Sequence, residues 1–360
     1  MYKLQSAADP DRSESTDESN IETDSLMANQ IISQQSTGLF ALYKLEMDKL
    51  VLMGNIRYDD MDNTLTDKIS AAGNVKTSKD FSETSIRIGV NYAFADPFNV
   101  YANWSQGFIP PSTEELASNP VGYSGFNTHL TPATSNCIEI GNRGFIGDKI
   151  NFEVTGFFMK TKNDFFRFKQ SGRGNQEVFY GNAGNSERFG IEIFASYQIL
   201  YNLICQIAYT YSDFKYTTAT IDTVYTDTAY VLTTPPLKGQ WLPNSPRHQL
   251  YAEINYQFGK HLKINLGTEY QSKWAIYTDA KAYAGELDPD IYQNWQDGFN
   301  LYNAQISYHN KIMNMDYEFS LSVRNFTGED YIAFTEPDPD GNSYQPGPAR
   351  EIFGGIKIRF

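Results

Sequence analysis

Residues that build metal sites, disulfide frameworks and membrane helices are scarce in this sequence. It has four histidines and two cysteines among 360 residues. Cys137 and Cys205 form no CxxC pair, and no spacing of the histidines brings two of them to one metal. No window approaches the roughly 18 to 20 apolar residues that a membrane helix needs. These absences exclude a helical membrane anchor and predict that the chain uses no metal and no cofactor.

Basic residues are also in deficit. Lys and Arg number 29 against 43 Asp and Glu, so the formal net charge is −14. A nucleic-acid partner needs a basic surface, and this balance therefore predicts none. The N-terminus, Met1-Tyr-Lys-Leu, lacks the apolar core of a secretory signal. The sequence also offers no Ser/His/Asp arrangement, so we expect no catalytic residues and no enzyme.

Aromatic residues are abundant instead. With 25 Tyr and 24 Phe the aromatic share is 15 %, yet the mean hydropathy is −0.48, so the rings are interleaved with polar residues. Near the C-terminus, Ile356 and Ile358 alternate with Lys357 and Arg359. In a strand this pattern puts aliphatic side chains on one face and charges on the other. Lipid outside and water inside a large barrel supply two such environments.

The same alternation predicts an all-β fold, a transmembrane antiparallel β-barrel with about thirteen strands. Residues 1–35 have no periodicity and are interpreted as an extracellular loop or disordered lead-in, and residues 36–360 as the barrel. The strands are predicted near 36–46, 50–60, 82–94, 98–107, 134–146, 149–168, 178–199, 202–216, 247–258, 261–276, 299–309, 315–327 and 348–360.

The predicted connections alternate between short and long. Tight turns fall at 47–49, 95–97, 147–148, 201–202, 259–260 and 310–314. Long loops fall at 61–81, 108–133, 217–246, 277–298 and 328–347, with a shorter one at 169–177. This asymmetry is typical of bacterial outer-membrane barrels. Charges of both signs are predicted to share the wet interior: Arg87, Glu139, Arg143, Glu153, Glu192, Glu253, Lys263, Glu269, Arg324, Lys357 and Arg359.

Six segments, in order, resemble the C-terminal part of a TonB-dependent outer-membrane receptor. The most specific is YANWSQGFIPPSTEEL at 101–116, similar to a family strand that enters a proline-bearing loop. LTPATSNCIEIG at 130–141 departs from the family pattern, since Ala133 stands where glutamate is frequent. The others are ALYKLEMDKLVLMGNIRYD at 41–59, YGNAGNSERFGIE at 180–192, PNSPRHQL at 243–250, and VRNFTGEDY at 323–331 with GPAR at 347–350 and Phe360.

This resemblance implies a receptor for energised uptake of a ferric siderophore or a similar scarce nutrient. It implies outer-membrane lipid, a small-molecule ligand and the barrel assembly machinery as partners, with Phe360 as the assembly signal. The TonB-ExbB-ExbD complex is expected to act through a plug domain that is missing here. Counted back from the closing strand, the chain matches the last thirteen of 22 strands. Because transport in the family depends on the plug and on TonB, the fragment alone is not expected to transport.

A ligand site is expected at the extracellular rim, where arginine and aromatic side chains suit an anionic ferric siderophore. Two other functions remain open. An independent porin-like channel of about fourteen strands would need pairing between the first and last strands, and a soluble β-rich glycan-binding protein would need no detergent. The candidate ligand residues are Tyr123, Phe126, Arg167, Arg173, Trp241, Tyr277, Tyr292 and Trp295.

Overall fold

The computed structural model is built around one antiparallel sheet of fourteen strands. It describes residues 2–3, 29–68, 75–120, 125–168, 179–182, 184–218, 238–276, 294–312, 315–338 and 341–359. The sheet strands are β1 (Tyr2–Lys3), β2 (Gln30–Met47), β3 (Leu50–Asp67), β4 (Val75–Ala95), β5 (Phe98–Ile109), β6 (Ala133–Ile146), β7 (Ile150–Lys162), β10 (Ser186–Leu200), β11 (Leu203–Tyr216), β12 (His248–Phe258), β13 (Leu262–Gln271), β16 (Phe299–Ile312), β17 (Met315–Arg324) and β20 (Glu351–Arg359).

Three two-stranded hairpins and one short helix lie outside this sheet. The hairpins are β8 (Phe165–Phe168) with β9 (Phe179–Asn182), β14 (Trp274–Ile276) with β15 (Asn294–Gln296), and β18 (Ile332–Asp338) with β19 (Gly341–Pro346). The helix is α1 (Thr113–Ala117). Within the described ranges, no helix has the length and apolar content needed to cross a membrane.

All thirteen predicted strands are confirmed, as the sheet strands other than β1. Three of them are divided in two, because the chain leaves the sheet at the long-loop end and forms a hairpin there. The predicted strand 149–168 is thus divided into β7 and β8, 178–199 into β9 and β10, and 261–276 into β13 and β14. Asn163, with φ of 56°, lies at the first of these breaks and takes a left-handed conformation that asparagine tolerates.

Two predicted boundaries are wrong at the same end of the sheet. Residues 61–81 were expected to be a loop, but β3 continues to Asp67 and pairs there with Val75 at the start of β4. The lead-in predicted at 1–35 also overlaps β2, which begins at Gln30, opposite Asp67. Apart from Ile31, the outer sides of both extensions carry polar residues, so the sequence shows no clear apolar alternation there. On the other side, Met61 and Leu65 pack against Leu116, Phe126 and Leu130, which belong to a loop that is distant in the sequence.

The register of the sheet separates an apolar face from a polar face. Residues directly opposite each other on neighbouring strands lie on the same face. One such row of neighbours runs across five strands, from Ile254 through Leu266, Ala304 and Val323 to Ile352. This apolar face exposes large side chains along the whole sheet, among them Ile56, Ile88, Ile138, Ile193, Ile254, Leu266, Ile306, Leu321 and Ile356. The eleven charged residues predicted for the interior all lie on the opposite, polar face.

The two outermost long strands do not meet. Among the described residues, β20 pairs only with β17, and β2 pairs with β3 and with the two residues of β1. The porin-like alternative required β2 to pair with β20, and the structure lacks that closure in the ranges it describes. The exposed apolar face also contradicts the soluble alternative, because such a surface is stable only against lipid or another apolar surface.

Candidate functional site

The wall of the polar face holds a network of hydrogen-bonded charged and aromatic residues. The Tyr101 hydroxyl donates to Glu153 Oε1 at 3.0 Å and lies 2.5 Å from Thr155 Oγ1. The Arg143 guanidinium lies 5.6 Å from the centre of the Tyr101 ring. Gly141 leaves room for that ring, because a Cβ there would lie 2.3 Å from Tyr101 Cζ. The network gives this wall fixed positive and negative positions, as a hydrated passage needs.

At the long-loop end of the polar face, residues 110–120 and 125–132 fold back over the sheet. We call these residues the docked loop. Its helix α1 begins with a capping box, in which Ser112 Oγ accepts from Glu115 N at 3.2 Å and Glu115 Oε2 accepts from Ser112 N at 2.7 Å. This pair satisfies two backbone donors that a free helix end would leave open. The cap thereby fixes the position of Leu116, which has no exposed surface.

The docked loop is held by an apolar cluster on the extended parts of β3 and β4. Met61, Leu65 and Phe81 project from the polar face into this cluster, which makes the rim of the sheet a small hydrophobic core. Each of these three side chains is at most 7 % exposed. The docked loop contributes Leu116, Phe126 and Leu130 to the cluster.

Hydrogen bonds fix the docked loop to the strands beneath it. Phe126 N donates to Thr77 Oγ1 at 3.0 Å, and Lys79 Nζ donates to Thr128 O at 2.7 Å. Asn127, which is fully buried, donates through Nδ2 to Tyr180 O at 3.0 Å in the β8–β9 hairpin. The loop and the hairpin thus form one structure over the rim.

Arg188 binds several side chains at the point where the β7–β10 connection leaves the sheet. Arg188 donates to Asp164 Oδ2 at 2.9 Å, to Thr161 Oγ1 at 2.6 Å and to Ser186 Oγ at 2.8 Å. Asp164 also accepts from Ser186 Oγ at 2.8 Å. Because both charged side chains are mostly buried, the pair is more than a surface ion pair. It anchors the point where the long loop leaves the sheet.

A second aromatic cluster occupies the rim above β13, β16 and β17. The Trp274 and Phe299 rings meet edge to face at 6.4 Å, and Phe299 lies 4.5 Å from the Tyr331 ring. The indole of Trp274, which is 1 % exposed, donates to Thr335 Oγ1 at 3.4 Å, and Asn244 Nδ2 donates to Thr335 O at 2.6 Å. Burial raises the pKa of Tyr331, and the nearby carboxylates of Glu269 and Glu351 add to this.

The predicted ligand residues are distributed differently from the expectation. Phe126 is 3 % exposed and packs inside the cluster under the docked loop. Trp241 and Trp295 do come together, with ring centres 6.5 Å apart. Arg167 is part of β8. The remaining predicted positions, Tyr123, Arg173, Tyr277, Tyr292 and the assembly signal Phe360, lie outside the described residues.

Sequence reasoning missed several residues that organise the rim. Arg188 lies inside the segment 180–192 that carried the resemblance, but its partner Asp164 is 24 positions away and no local pattern links them. Trp274, Tyr331 and Thr335 likewise come from three separate elements. In the part of the chain that the structure describes, no three His, Cys, Asp or Glu side chains are placed to hold a metal ion.

Comparisons with known proteins give a family match and several similar proteins. Residues 2–326 match the family model of the TonB dependent receptor-like beta-barrel. The ferrichrome outer membrane transporter/phage receptor of Escherichia coli K12 is 25 % identical over 249 residues, which are 68 % of this chain and 29 % of that protein. The fold resembles the siderophore receptor PiuA from Acinetobacter baumannii, with a TM-score of 0.69 at 16 % identity over 91 % of this chain and 44 % of that one.

It also resembles the ferric-catecholate import receptor Fiu of E. coli K12. That match has a TM-score of 0.65 at 19 % identity, over 92 % of this chain and 45 % of the other. This chain therefore spans less than half the length of each of these relatives. At such low identity the two solved structures bear on the fold alone, and the family rests on the match over 2–326.

Proposed function

Because this chain belongs to the family of TonB-dependent receptor β-barrels, we propose that it forms barrel wall and extracellular rim in a receptor that takes up a ferric siderophore or a similar scarce nutrient. The barrels of this family lie in the outer membrane, and so does this chain. The observation that carries the proposal is the two-faced sheet. Its apolar face fits lipid, and its polar face combines a charged wall with folded loops at one rim only.

Three relatives support the class of ligand. Their names describe a ferrichrome transporter, a siderophore receptor and a ferric-catecholate import receptor. The polar face here has the cationic and aromatic groups that would hold an anionic iron chelate, such as Arg143 beside Tyr101. The docked loop and the Trp274 cluster would form the rim that a ligand reaches first.

The partners follow from the same proposal. A plug domain would occupy the passage beside the polar face, and TonB with ExbB and ExbD would supply energy through it. The barrel assembly machinery would insert the strands, and Phe360 would belong to the signal that it reads. We expect no catalytic role for the charged wall, since its groups bind and orient rather than react.

Uptake of labelled iron chelates tests the proposal. This chain is expressed as the C-terminal part of a receptor that also carries a plug domain and the preceding barrel strands, in an iron-starved strain without its own siderophore receptors. Radioactive iron is supplied as a catecholate, a hydroxamate or a citrate complex. We expect one class to enter the cells, and we expect a tonB deletion to abolish that uptake. Uptake of none, or uptake that persists without TonB, would contradict the proposal. Outer-membrane fractionation confirms that the protein is present in each strain.

A further inference from the structure

A cluster of tryptophan and basic side chains lies on the apolar face, just beyond its long-loop end. On β7, β10 and β11 the last apolar positions of this face are Phe158 and Phe189, with Asp213 opposite Phe189. Two residues further along each strand, Lys160 is opposite Glu187, which is opposite Lys215. Trp241 then pairs with Lys215 as an isolated bridge. Trp241 therefore continues the lipid-facing side of the sheet and does not line the interior.

The height of this cluster fits the edge of the bilayer. From Tyr197 to Phe189 the apolar face of β10 extends roughly 26 Å at about 3.3 Å per residue. At a tilt of about 40° this covers roughly 20 Å of an apolar band that is about 25 Å tall in outer-membrane barrels. Lys160, Glu187 and Lys215 come next, so they lie where hydrocarbon gives way to headgroups.

Basic side chains in the cluster are held against the two indole rings. Lys215 Nζ lies 4.1 Å from the centre of the Trp241 ring, and the Arg247 guanidinium lies 4.4 Å from the same ring. Lys273 Nζ lies 4.9 Å from the Trp295 ring. Arg247 Nε is enclosed and has no hydrogen-bond partner among the residues that the structure describes. The Nη2 atom of Arg247 donates to the Tyr211 hydroxyl at 3.1 Å. The cations are thus positioned in advance.

An open cavity accompanies these cations. Its volume is about 320 Å³, and its lining includes Phe158, Phe189, Lys215 and Lys238. Two carboxylates also face this region, and each has a lysine partner: Glu187 pairs with Lys160 at 2.9 Å and Asp213 with Lys215 at 3.0 Å. Arg247, Lys238 and Lys273 have no carboxylate ion pair within the described ranges. The region therefore keeps an excess of positive charge in a chain whose net charge is −14.

The opposite end of the sheet shows that this charge is local. On β3 and β4 the apolar face ends at Tyr58, and the positions beyond it hold Asp60, then Asp62 opposite Asp80, before Lys76 is reached. This sector is net acidic at the height where the β7–β12 sector is net basic. If every part of the wall needed basic residues at the headgroup layer, both sectors would be basic. The basic cluster in one sector alone therefore indicates a specific partner.

We propose that Lys160, Lys215, Trp241, Arg247 and Lys273 bind the phosphorylated headgroup of an outer-leaflet glycolipid. Phosphate oxygens would accept hydrogen bonds from Arg247 and the lysines, and the acyl chains would pack on Phe158 and Phe189 below. The cluster lies on the lipid side of the wall, so this site is independent of the proposed ligand and of iron uptake. It also gives Trp241 and Trp295 a role different from the ligand contact expected of them.

Native mass spectrometry of the full chain, purified in detergent, tests this site. The probes are lipid A with both phosphates, lipid A without phosphates, and inorganic phosphate alone. The patch variant is K215Q/R247Q, and the matched control K263Q/K357Q removes the same charge from the polar face. At about 1 kcal/mol for each cation near a lipid surface, the patch variant should bind phosphorylated lipid A roughly 25-fold more weakly. The control should bind as the parent chain does.

Three outcomes would overturn the proposal. These are equal binding of both forms of lipid A, equal losses in the patch and control variants, and full competition by inorganic phosphate, which would show a site for free anions. If K215Q/R247Q does not fold, as judged by its heat-modifiable gel mobility, K160Q/K273Q replaces it. Lys160 is 59 % exposed in its side chain and can be changed without disturbing the sheet.

Discussion

Replacement of Leu116 by alanine tests whether the docked loop is held as the structure describes. Leu116 has no exposed surface and packs with Met61, Leu65 and Phe81 from the strands. Removal of a fully buried leucine side chain costs about 2–5 kcal/mol. The strands β3 and β4 pair along their whole length without the loop, so we expect this cost to fall on loop docking and not on the barrel.

Proteolysis after glutamate measures this docking directly. Glu114 and Glu115 lie in α1, so cleavage there requires the helix to leave the cluster and unwind. When opening is fast relative to cleavage, the rate follows the open population. The expected loss of about 2–5 kcal/mol predicts cleavage roughly 30-fold to several-thousand-fold faster in Leu116→Ala. The fragments that end at Glu114 or Glu115 are counted by mass spectrometry.

Two further variants make the experiment decisive. Leu266→Ala makes the same chemical change on the apolar face, where Leu266 is 49 % exposed, and should leave cleavage at α1 unchanged. Ser112→Ala removes half of the capping box and should cost about 1 kcal/mol, which gives roughly a five-fold faster cleavage. The reasoning is refuted if Leu116→Ala is cleaved no faster than Leu266→Ala, because the loop would then not depend on the buried cluster.

Two other predictions concern the remaining rim contacts. Arg188→Met leaves Asp164 without its charged partner and should lower the free energy of unfolding in urea by about 2 kcal/mol. The double variant with Asp164→Asn should recover a large part of this loss, and no recovery would show that the two residues are not coupled. Gly347→Ala places a Cβ 2.0 Å from Tyr331 Cζ and should lower the free energy of unfolding by about 1–3 kcal/mol. The additional change Tyr331→Ala should relieve this clash. Equal stability of Gly347→Ala and the parent chain would show that the ring is not held there.

The sequence predicted the strands because their pattern is local. Within each strand, apolar and polar residues alternate with a period of two. A barrel wall with water inside and lipid outside requires this alternation. The faces of Arg143, Glu153 and Lys263 were correct for the same reason. Strand ends at the long loops were less predictable. Met61, Leu65 and Phe81 look like scattered apolar residues of a loop until the docked loop covers them.

The candidate site shows the same division. The sequence indicated that tryptophan and arginine gather at the long-loop rim, and Trp241 and Trp295 do meet there. It could not show on which side of the wall they lie, because the face of Trp241 follows from its pairing with Lys215, 26 positions earlier. Phe126 was predicted at a ligand surface, yet its ring is 3 % exposed, because Thr77 and the strands beneath fix its loop.

The sequence by itself therefore determined the two-faced strands, their number and the asymmetry between short turns and long loops. These properties depend on side-chain alternation and turn chemistry over a few residues. Only the tertiary structure decided which loop covers the rim, which charges pair across it, and which rings face lipid. Those choices depend on contacts between residues far apart in the chain, and a local pattern holds no information about which distant partner will be adjacent in the folded sheet.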